Sequence, residues 1–329
     1  MIKPKRRKLV VVGNGMAGAR VVEEVLRRAP DEFDIAMFGA EPYGNYNRIL
    51  LSNVLNGSQK ATEIFMNPLA WYDENRITLH AGVKAVKIDR ERKVVVGKRL
   101  RRDATPYAAG ETGVGEEPPV EERYDHVIIA TGSRPFVPPM EGFGQRGTFL
   151  FRTIDDCDHI ASYAKECKKA AVIGGGLLGL EAARGLLTHG VEVTVLEAAP
   201  QLMIAQLDPD SGAMLKTAME AMGVKVLCEK ITTRIVSENG KITHLLLKDG
   251  SRIETDMVVV SAGIRPITDV AVASGLTVDK AIVCDDQMRT SDPDIFSVGE
   301  CVQHRGKIYG LVDPIWEMAN VLADVITGK

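Results

Sequence analysis

The stretch VIGGGLLGLEAA, residues 172–183, repeats the glycine pattern of the earlier stretch VVVGNGMAGAR, residues 10–20. In both, a short β-branched run ends at a glycine of the pattern G-x-G-x-x-G, and a helix-forming sequence follows. The first glycine of this pattern allows a tight turn, the second lets a diphosphate approach the backbone, and the third lets helix and strand pack closely. The repeat therefore predicts two strand–turn–helix segments that can each hold a dinucleotide.

Each glycine turn lies between two strand-like runs. These runs cover residues 9–12 and 34–38 around the first turn, and residues 170–173 and 192–196 around the second. An acidic residue follows or ends the second run, as Glu41 in the first copy and Glu197 in the second. One such turn also occurs in unrelated α/β proteins, but two copies in matching context favour dinucleotide binding at both.

The duplication extends beyond the turns. A hairpin-like stretch follows each copy, and the second has its turn at Asp249–Gly250. Two further strands, HVIIATG (His126–Gly132) and MVVVSAG (Met257–Gly263), both end in a small residue and a glycine. Alternating strands and helices indicate parallel sheets covered by helices. The segment 97–125 is rich in Gly, Pro and charge, which favours a solvated surface loop, with a docking loop for a partner as the alternative.

Composition excludes several classes of function. The 329 residues carry a formal net charge of −3 and only 5% aromatic residues, which is not typical of a nucleic-acid-binding protein. No apolar run approaches the roughly 20 residues that cross a membrane. The basic start MIKPKRRKLVVVG has too short an apolar run for a signal peptide. We therefore expect a cytoplasmic protein that binds neither nucleic acid nor membrane.

The five cysteines are widely spaced, at Cys157, Cys167, Cys228, Cys284 and Cys301. No C-x-x-C pair or similar cluster is present, so the sequence predicts no zinc site, no iron–sulfur site and no redox dithiol. Reduced, structural thiols are expected, and no metal ligands are predicted.

Two dinucleotide turns in one chain fit one tightly bound flavin and one dissociable nicotinamide. Hydride transfer between them needs the reacting atoms about 3–3.5 Å apart, which two cradles that face each other can provide. The Glu197 carboxylate accepts hydrogen bonds from a ribose 2′-hydroxyl and repels a 2′-phosphate. Because no arginine lies between Glu197 and Arg234, the second turn is predicted to prefer NADH over NADPH.

Six stretches in combination resemble those of the FAD- and NAD-dependent pyridine nucleotide-disulphide oxidoreductases. They are VVGNGMAGAR, AEPYGNYNRILLS, ATGSRP, VIGGGLLGLEAA, VSAGIRP and TSDPDIFSVGEC. Within that family, SVGECVQHRGKIYGLVDPIWEMA (residues 297–319) is similar to the N-terminal flavin module of assimilatory NAD(P)H nitrite reductase large subunits. The resemblance spans nearly the whole chain.

The resemblance implies an α/β fold with two Rossmann-like three-layer domains. The FAD-binding domain is expected at residues 1–150 and 267–329, with the NAD(H)-binding domain, residues 151–266, inserted in it. Relatives continue into a C-terminal interface domain and, in the nitrite reductases, into siroheme and iron–sulfur regions. These regions are absent from the sequence, so it is expected to be a fragment or a short relative that cannot reduce nitrite alone.

The resemblance also implies roles for individual residues. Those expected to contact FAD are Gly13, Asn14, Gly15, Met16, Ala17, Gly18, Glu41, Arg48, Ala85, Ala130, Thr131, Gly132, Gly299, Glu300, Pro314 and Ile315. Those expected to contact NAD are Gly174, Gly176, Leu177, Leu178, Gly179, Glu181, Glu197, Ala262 and Gly263. Arg48 is expected at the FAD diphosphate, with a surface arginine as the alternative. Glu181 is the candidate catalytic residue, positioning the nicotinamide, and the alternative for it is a solvent-facing helix glutamate.

Departures from the wider family narrow the function. Ferredoxin-reductase relatives usually carry Asp where Glu300 stands and often a lysine where Asn53 stands. The chain has no cysteine before Cys157, so the redox cysteines of disulfide reductases and NADH oxidases have no counterpart. The expected function is therefore hydride transfer from NADH to FAD and electron transfer to an acceptor carrying an iron–sulfur centre or siroheme. Two alternatives stay open, which are a stand-alone ferredoxin or rubredoxin reductase and a nucleotide-bound redox sensor without turnover.

Overall fold

The structure is a computed structural model that describes residues 6–329, and these residues form two compact units. The first unit comprises the chain up to Tyr46, Phe65–Arg134 and Pro266–Lys329. The second unit comprises Asn47–Ile64 and Pro135–Arg265.

The elements alternate along the chain as the sequence predicts. The strands are β1 (Arg7–Val12), β2 (Phe33–Gly39), β3 (Ile77–Ala81), β4 (Val83–Asp89), β5 (Val94–Arg99), β6 (Val120–Arg123), β7 (His126–Ile129), β8 (Ser133–Pro135), β9 (Thr148–Leu150), β10 (Lys169–Ile173), β11 (Glu192–Leu196), β12 (Lys225–Leu227), β13 (Thr232–Glu238), β14 (Lys241–Leu247), β15 (Arg252–Glu254), β16 (Met257–Val260), β17 (Ile264–Pro266), β18 (Ile282–Cys284), β19 (Ile295–Ser297), β20 (Val302–His304) and β21 (Lys307–Ile308). The helices are α1 (Met16–Arg28), α2 (Leu51–Leu55), α3 (Leu69–Glu74), α4 (Ile154–Ala164), α5 (Leu177–Leu187), α6 (Pro209–Ala221), α7 (Asp269–Ala273) and α8 (Val312–Thr327), with short 3₁₀ helices at Arg48–Leu50 and Ala61–Glu63.

A parallel sheet with the order β19-β7-β1-β2-β3 forms the centre of the first unit. Strand β1 is apolar at successive positions because both of its faces are buried. Leu9 and Val11 pack into a core with helices α1 and α8. Val10 and Val12 pack into the opposite core, with the antiparallel β4-β5-β6 sheet and helix α7. The first unit therefore has three layers.

The second unit repeats this plan. Its parallel sheet has the order β12-β11-β10-β16-β9. Ala171 and Ile173 of β10 pack against the antiparallel β13-β14-β15 sheet, and helix α5 contacts β10 and β11 through its buried small residues. The prediction of an α/β fold with two Rossmann-like three-layer parts is confirmed.

The boundaries between the units differ in detail from those expected at residues 150 and 267. The chain passes from the first unit to the second after Arg134 and returns at Pro266. Residues 47–64 group with the second unit because α2 packs against α4 and α5. These contacts join segments far apart in the chain, so the sequence pattern alone does not reveal them.

The segment between Gly97 and Asp125 contains more structure than its composition predicts. Val120–Arg123 pairs with β5 as an antiparallel strand, so the expectation of a loop is wrong there. Within the remaining loop, the carbonyl of Ala108 accepts a hydrogen bond from the buried ammonium of Lys84. This hydrogen bond ties the loop to strand β4.

Candidate functional site

The first glycine turn joins β1 to α1 and has the geometry that its pattern predicts. Gly13 has a φ of +120°, and a Cβ there would lie 2.2 Å from the carbonyl oxygen of Ala130. A Cβ at Gly18 would lie 2.1 Å from the carbonyl oxygen of Gly13. A Cβ at Gly15, in contrast, would meet no heavy atom within 4 Å. Two glycines therefore allow close backbone packing, and the middle one faces open space at the start of α1.

Several of the residues expected to contact FAD lie close to this turn. Gly13 packs on Ala130 at the end of β7, and a Cβ at Gly299 would lie 3.0 Å from the Cβ of Ala17. Thr131 Oγ1 donates to the carbonyl of Ile267 at 2.6 Å. The carboxyl ends of parallel strands form one edge of the sheet, which is where such folds bind their ligands.

Hydrogen bonds from the strand end after β7 reach Glu300 and Ile267. The buried Ser133 hydroxyl donates to Glu300 Oε2 at 2.6 Å. Gly132, with a φ of +68°, accepts a hydrogen bond from the Ile267 N–H through its carbonyl at 2.9 Å. The Glu300 carboxylate is thereby tied to the strand end that carries Thr131 and Gly132.

Helix α8 begins at Val312, so Pro314 and Ile315 lie in its first turn. Ile315 is buried, whereas Pro314 is partly exposed. A helix N-terminus carries a partial positive charge and unpaired N–H groups, which favour an anionic ligand.

The three other residues expected at FAD have different surroundings. Glu41 lies beyond the end of β2, and its Oε2 accepts a hydrogen bond from the Tyr46 hydroxyl at 2.6 Å. Ala85 lies in β4 opposite Gly97 and is 8% exposed. Arg48 belongs to the second unit, where its Nη1 donates to the carbonyl of Arg152 at 2.8 Å. The role of Arg48 as a ligand of the FAD diphosphate stays a prediction.

One polar cluster beside the first turn was missed by the sequence reasoning. Tyr72 of α3 donates from its hydroxyl to Asn14 Oδ1 at 3.0 Å and accepts the backbone N–H of Asn45 at 3.0 Å. Asn45 is completely buried, and its Nδ2 has no hydrogen-bond partner among the described residues. Asn14 and Asn45 lie in stretches that carry the family resemblance, whereas Tyr72, in LAWYDE, has the sequence pattern of an ordinary core residue.

The second glycine turn joins β10 to α5 and reproduces the first. Gly174 also has a φ of +120°, and a Cβ there would lie 2.2 Å from the carbonyl oxygen of Ser261, next to Ala262 and Gly263. A Cβ at Gly179 would lie 2.0 Å from the carbonyl oxygen of Gly174, whereas a Cβ at Gly176 would meet nothing within 4 Å.

Side chains after the second turn present both apolar and acidic groups. Leu177 is 55% exposed at the start of α5, and Leu178 is partly exposed. Glu197 follows β11 directly, and both of its carboxylate oxygens accept backbone hydrogen bonds. Oε2 accepts the N–H of Gly175 at 2.6 Å, and Oε1 accepts the N–H of Ala199 at 2.7 Å.

Glu181 is partly buried on α5, and burial raises the pKa of its carboxyl above the usual range. Among the residues that the structure describes, none forms a hydrogen bond or ion pair with this carboxylate. A desolvated carboxyl group without a partner is a frequent feature of functional sites.

Both turns fit the diphosphate of a dinucleotide. Within residues 6–329, no side chain caps α1 or α5, and the first turn of each helix contains no acidic residue. The free N–H groups of each helix therefore lie beside Gly15 or Gly176, and no acidic residue of the helix's own first turn competes for them. The buried, unpartnered Nδ2 of Asn45 adds an unused donor near the first turn.

The described part of the chain offers neither a cluster of metal-ligating side chains nor a membrane-spanning helix. Residues 6–329 contain no group of three or more His, Cys, Asp or Glu that could hold a metal ion. None of their helices is both long and apolar enough to span a membrane.

Comparisons with known proteins identify the family of this chain. Residues 7–318 match the family described as pyridine nucleotide-disulphide oxidoreductase. The nitrite reductase (NAD(P)H) of Bacillus subtilis (strain 168) is 46% identical over 323 residues, covering 98% of this chain and 38% of that protein. The assimilatory nitrate reductase electron transfer subunit of the same strain is 41% identical over 324 residues, covering 98% of this chain and 39% of that protein.

A solved structure gives the same result at the level of the fold. The ferredoxin reductase for the CYP199A2 system from Rhodopseudomonas palustris superposes with a TM-score of 0.87 at 25% identity, covering 98% of this chain and 77% of that one. The chain spans about two fifths of the length of the two curated relatives. The predicted resemblance is confirmed, and the chain belongs to the pyridine nucleotide-disulphide oxidoreductase family, whose members bind FAD and NAD(P)H.

Proposed function

We propose that the chain is a flavoprotein that takes hydride from NADH and passes the electrons to a separate acceptor, as the electron-input module of an assimilatory nitrite reductase. One observation carries the proposal, which is that each unit contains an uncapped glycine turn with open space at its middle glycine. Binding of a single dinucleotide needs one such turn, whereas exchange between two dinucleotides needs two.

The first unit is the proposed FAD site. FAD, when bound, supplies a ring system that takes a hydride and releases its electrons singly. The Gly13–Gly18 turn offers backbone N–H groups to the diphosphate, and Glu41 accepts hydrogen bonds from the ribose. Glu300, which accepts a hydrogen bond from the Ser133 hydroxyl, is the proposed acceptor for the ribityl hydroxyls. The N-terminus of α8 offers partial positive charge to an anionic ring system.

The second unit is the proposed NADH site. The Gly174–Gly179 turn binds the diphosphate, and Leu177, Ala262 and Gly263 line the approach to it. Glu197 is fixed by two backbone N–H groups, and each of its oxygens keeps a lone pair for the ribose hydroxyls. Its fixed negative charge opposes a 2′-phosphate, so NADH is the proposed donor in preference to NADPH.

Glu181 is the proposed positioning residue for the nicotinamide. Its carboxyl group has no partner within the described chain and is partly withdrawn from water. A carboxyl group in this state can accept a hydrogen bond from the nicotinamide amide without first breaking a contact in the protein.

The proposed acceptor is an iron–sulfur or siroheme domain. Two relatives that align over almost all of this chain are named for nitrite reduction and for electron transfer in nitrate reduction. Each is more than twice as long as this chain, so an acceptor has room outside the aligned region. We place the reaction in the cytoplasm, because all five cysteines are free thiols.

Anaerobic stopped-flow mixing of the FAD-loaded chain with NADH tests the proposal. We expect loss of the oxidised-flavin absorbance within seconds, and a higher catalytic efficiency with NADH than with NADPH when a dye accepts the electrons. A flavin that stays oxidised for hours with NADH contradicts the proposal and favours a redox sensor. An equal or higher efficiency with NADPH removes only the cofactor preference.

A stand-alone reductase for a small iron–sulfur protein is the second candidate. The fold similarity to a ferredoxin reductase favours it, since that protein shares this architecture over 98% of this chain. The two candidates are distinguished by acceptor. Rapid NADH-dependent reduction of ferredoxin or rubredoxin by the isolated chain supports the second, and reduction only of a siroheme domain supplied in trans supports the first.

A further inference from the structure

We infer that Tyr72 is a positioning residue that holds the first glycine turn in the conformation that binds the FAD diphosphate, acting through its hydroxyl on Asn14. The inference rests on the proposed assignment of this turn to FAD. It concerns a residue outside every motif that the sequence reveals.

The contact reaches the middle of the turn. Asn14 stands between Gly13 and Gly15, so its backbone belongs to the segment that must approach the diphosphate. Its Oδ1 accepts the Tyr72 hydroxyl at 3.0 Å, and its Nδ2 donates weakly, at 3.4 Å, to the carbonyl of Tyr43. The Asn14 side chain therefore ties the turn to two other segments of the first unit.

Packing and hydrogen bonds hold the Tyr72 side chain in place. Tyr72 is 2% exposed, and its ring packs edge-on against Trp71 with centroids 5.1 Å apart. Its oxygen also accepts the N–H of the fully buried Asn45, whose Oδ1 accepts the N–H of Asn67 at 3.1 Å. Burial raises the pKa of Tyr72, so the phenol stays protonated and keeps donating to Asn14 at physiological pH.

Loss of the Tyr72 hydroxyl would leave two polar groups without their hydrogen-bond partner. A phenylalanine at position 72 keeps the packing but leaves Asn14 Oδ1 without its donor and the buried N–H of Asn45 without its acceptor. Unsatisfied buried polar groups favour local rearrangements that find other partners. Asn14 is partly exposed and can move toward water, and such a movement shifts the turn itself.

Titration of the apoprotein with FAD, followed by flavin fluorescence, tests the inference in Tyr72→Phe. We expect the Kd for FAD to rise about 10-fold. Tyr124→Phe is the matched control, because Tyr124 is a tyrosine of the same unit, 5% exposed, that packs in the opposite core. The control should keep the FAD affinity of the parent chain. The midpoint of thermal unfolding, measured on each apoprotein, separates loss of stability from loss of affinity.

A double-mutant cycle with Asn14→Ala isolates the contact. Asn14→Ala alone should weaken FAD binding by a similar factor, and Tyr72→Phe should add almost nothing in that background. Asn14→Ala also serves if Tyr72→Phe does not fold, and an unchanged Kd in that variant overturns the inference. An unchanged Kd with a lowered unfolding midpoint in Tyr72→Phe reduces Tyr72 to a structural residue. A parent chain that binds no FAD overturns the proposed function as well.

Discussion

The turns at Gly13–Gly18 and Gly174–Gly179 have the same backbone but hold it by different means. In both, the first glycine has a φ of +120°, and its N–H donates at 2.8 Å to the carbonyl at a matching point of the next strand, Phe38 or Leu196. The distance from a Cβ built at the first or the third glycine to the nearest carbonyl oxygen agrees within 0.1 Å between the two turns. The two turns therefore have nearly the same backbone conformation.

The residue after the first glycine makes the difference. In the first turn it is Asn14, whose side chain bonds to Tyr72. In the second turn it is Gly175, whose N–H donates to the carboxylate of Glu197. A Cβ at Gly175 would lie 2.9 Å from Glu197 Oε2, so glycine and glutamate are required together.

The acidic residues of the two copies are consequently not equivalent. Because Phe38 and Leu196 occupy matching positions, Gly39 corresponds to Glu197, and Glu41 lies two residues further along. Glu41 is held by the side chain of Tyr46, whereas Glu197 is held by backbone N–H groups. The comparison shows that both copies use the same backbone turn, proposed here to bind the diphosphate. The carboxylate proposed to bind the ribose, Glu41 or Glu197, lies at a different position in each copy.

The largest effect is expected at the third glycine of each turn. In Gly18→Ala the new Cβ would lie 2.1 Å from the Gly13 carbonyl oxygen, and in Gly179→Ala it would lie 2.0 Å from that of Gly174. Since a backbone carbonyl cannot rotate away as a side chain can, each variant should lose about 3 kcal/mol of unfolding free energy. Gly18→Ala should also lose FAD binding, and Gly179→Ala should lose NAD⁺ binding. Urea unfolding and separate titrations with FAD and NAD⁺ measure these losses.

Gly15→Ala and Gly176→Ala are the matched controls, because a Cβ at either position meets no atom within 4 Å. Both should keep the unfolding free energy of the parent chain. The equivalence of the two backbones is broken if only one of Gly18→Ala and Gly179→Ala is destabilised.

Exchanging the residues at positions 14 and 175 compares support of the turn by a side chain, as in Asn14, with support by a backbone N–H, as in Gly175. Gly175→Asn would bring a Cβ within 2.6 Å of the buried Leu202 and displace Glu197, so the affinity for NAD⁺ should fall about 100-fold. Asn14→Gly removes hydrogen bonds without a clash, so the affinity for FAD should fall only about 10-fold. Calorimetric titrations compare the two, and losses of equal size argue against different means of support.

The two acidic residues can be compared through the choice between NADH and NADPH. Glu197→Gln removes the charge that opposes a 2′-phosphate, so the ratio of kcat/KM for NADH to that for NADPH should fall about 10-fold. Glu41→Gln, on the first unit, should leave this ratio unchanged. Steady-state kinetics with a dye acceptor measure both, and a shift in the Glu41 variant is evidence against separate cofactor sites.

The smallest effect is expected at Glu181, for which the first turn has no counterpart. Its pKa is higher in the folded chain than in the unfolded one, so the stability that its proton contributes is complete below the unfolded value of about 4.3 and is lost as pH rises through the folded value. Glu181→Gln should therefore gain stability relative to the parent chain at about pH 8 but not at about pH 4, by less than about 1 kcal/mol because the group is only half buried. Urea unfolding at the two pH values measures the difference, and a gain independent of pH contradicts this account.

The parts of the fold that local chemistry determines were predictable. A φ of +120° at Gly13 and Gly174 admits essentially only glycine, so the sequence marks both turns directly. The strands before them are buried on both faces, which requires the apolar runs that the sequence shows. The predicted second strand, 192–196, agrees with β11 residue for residue.

The parts that depend on contacts between distant segments were not predictable. Tyr72 bonds to a residue 58 positions away, and nothing in its neighbourhood distinguishes it from a core tyrosine. Val120–Arg123 carries three charged residues in four, yet it forms a strand because β5 offers a free edge. The grouping of residues 47–64 with the second unit likewise depends on packing that a linear pattern does not encode.

The interrupted path of the chain has a consequence for its synthesis. The central sheet of the first unit needs β19, which ends at Ser297, whereas the sheet of the second unit has all its strands once Val260 has emerged. Because domains fold as units while the ribosome extends the chain, the unit that begins second is the first able to close its sheet. Strand β7 must wait, with one edge unpaired, for β19, which begins more than 160 residues after β7 ends.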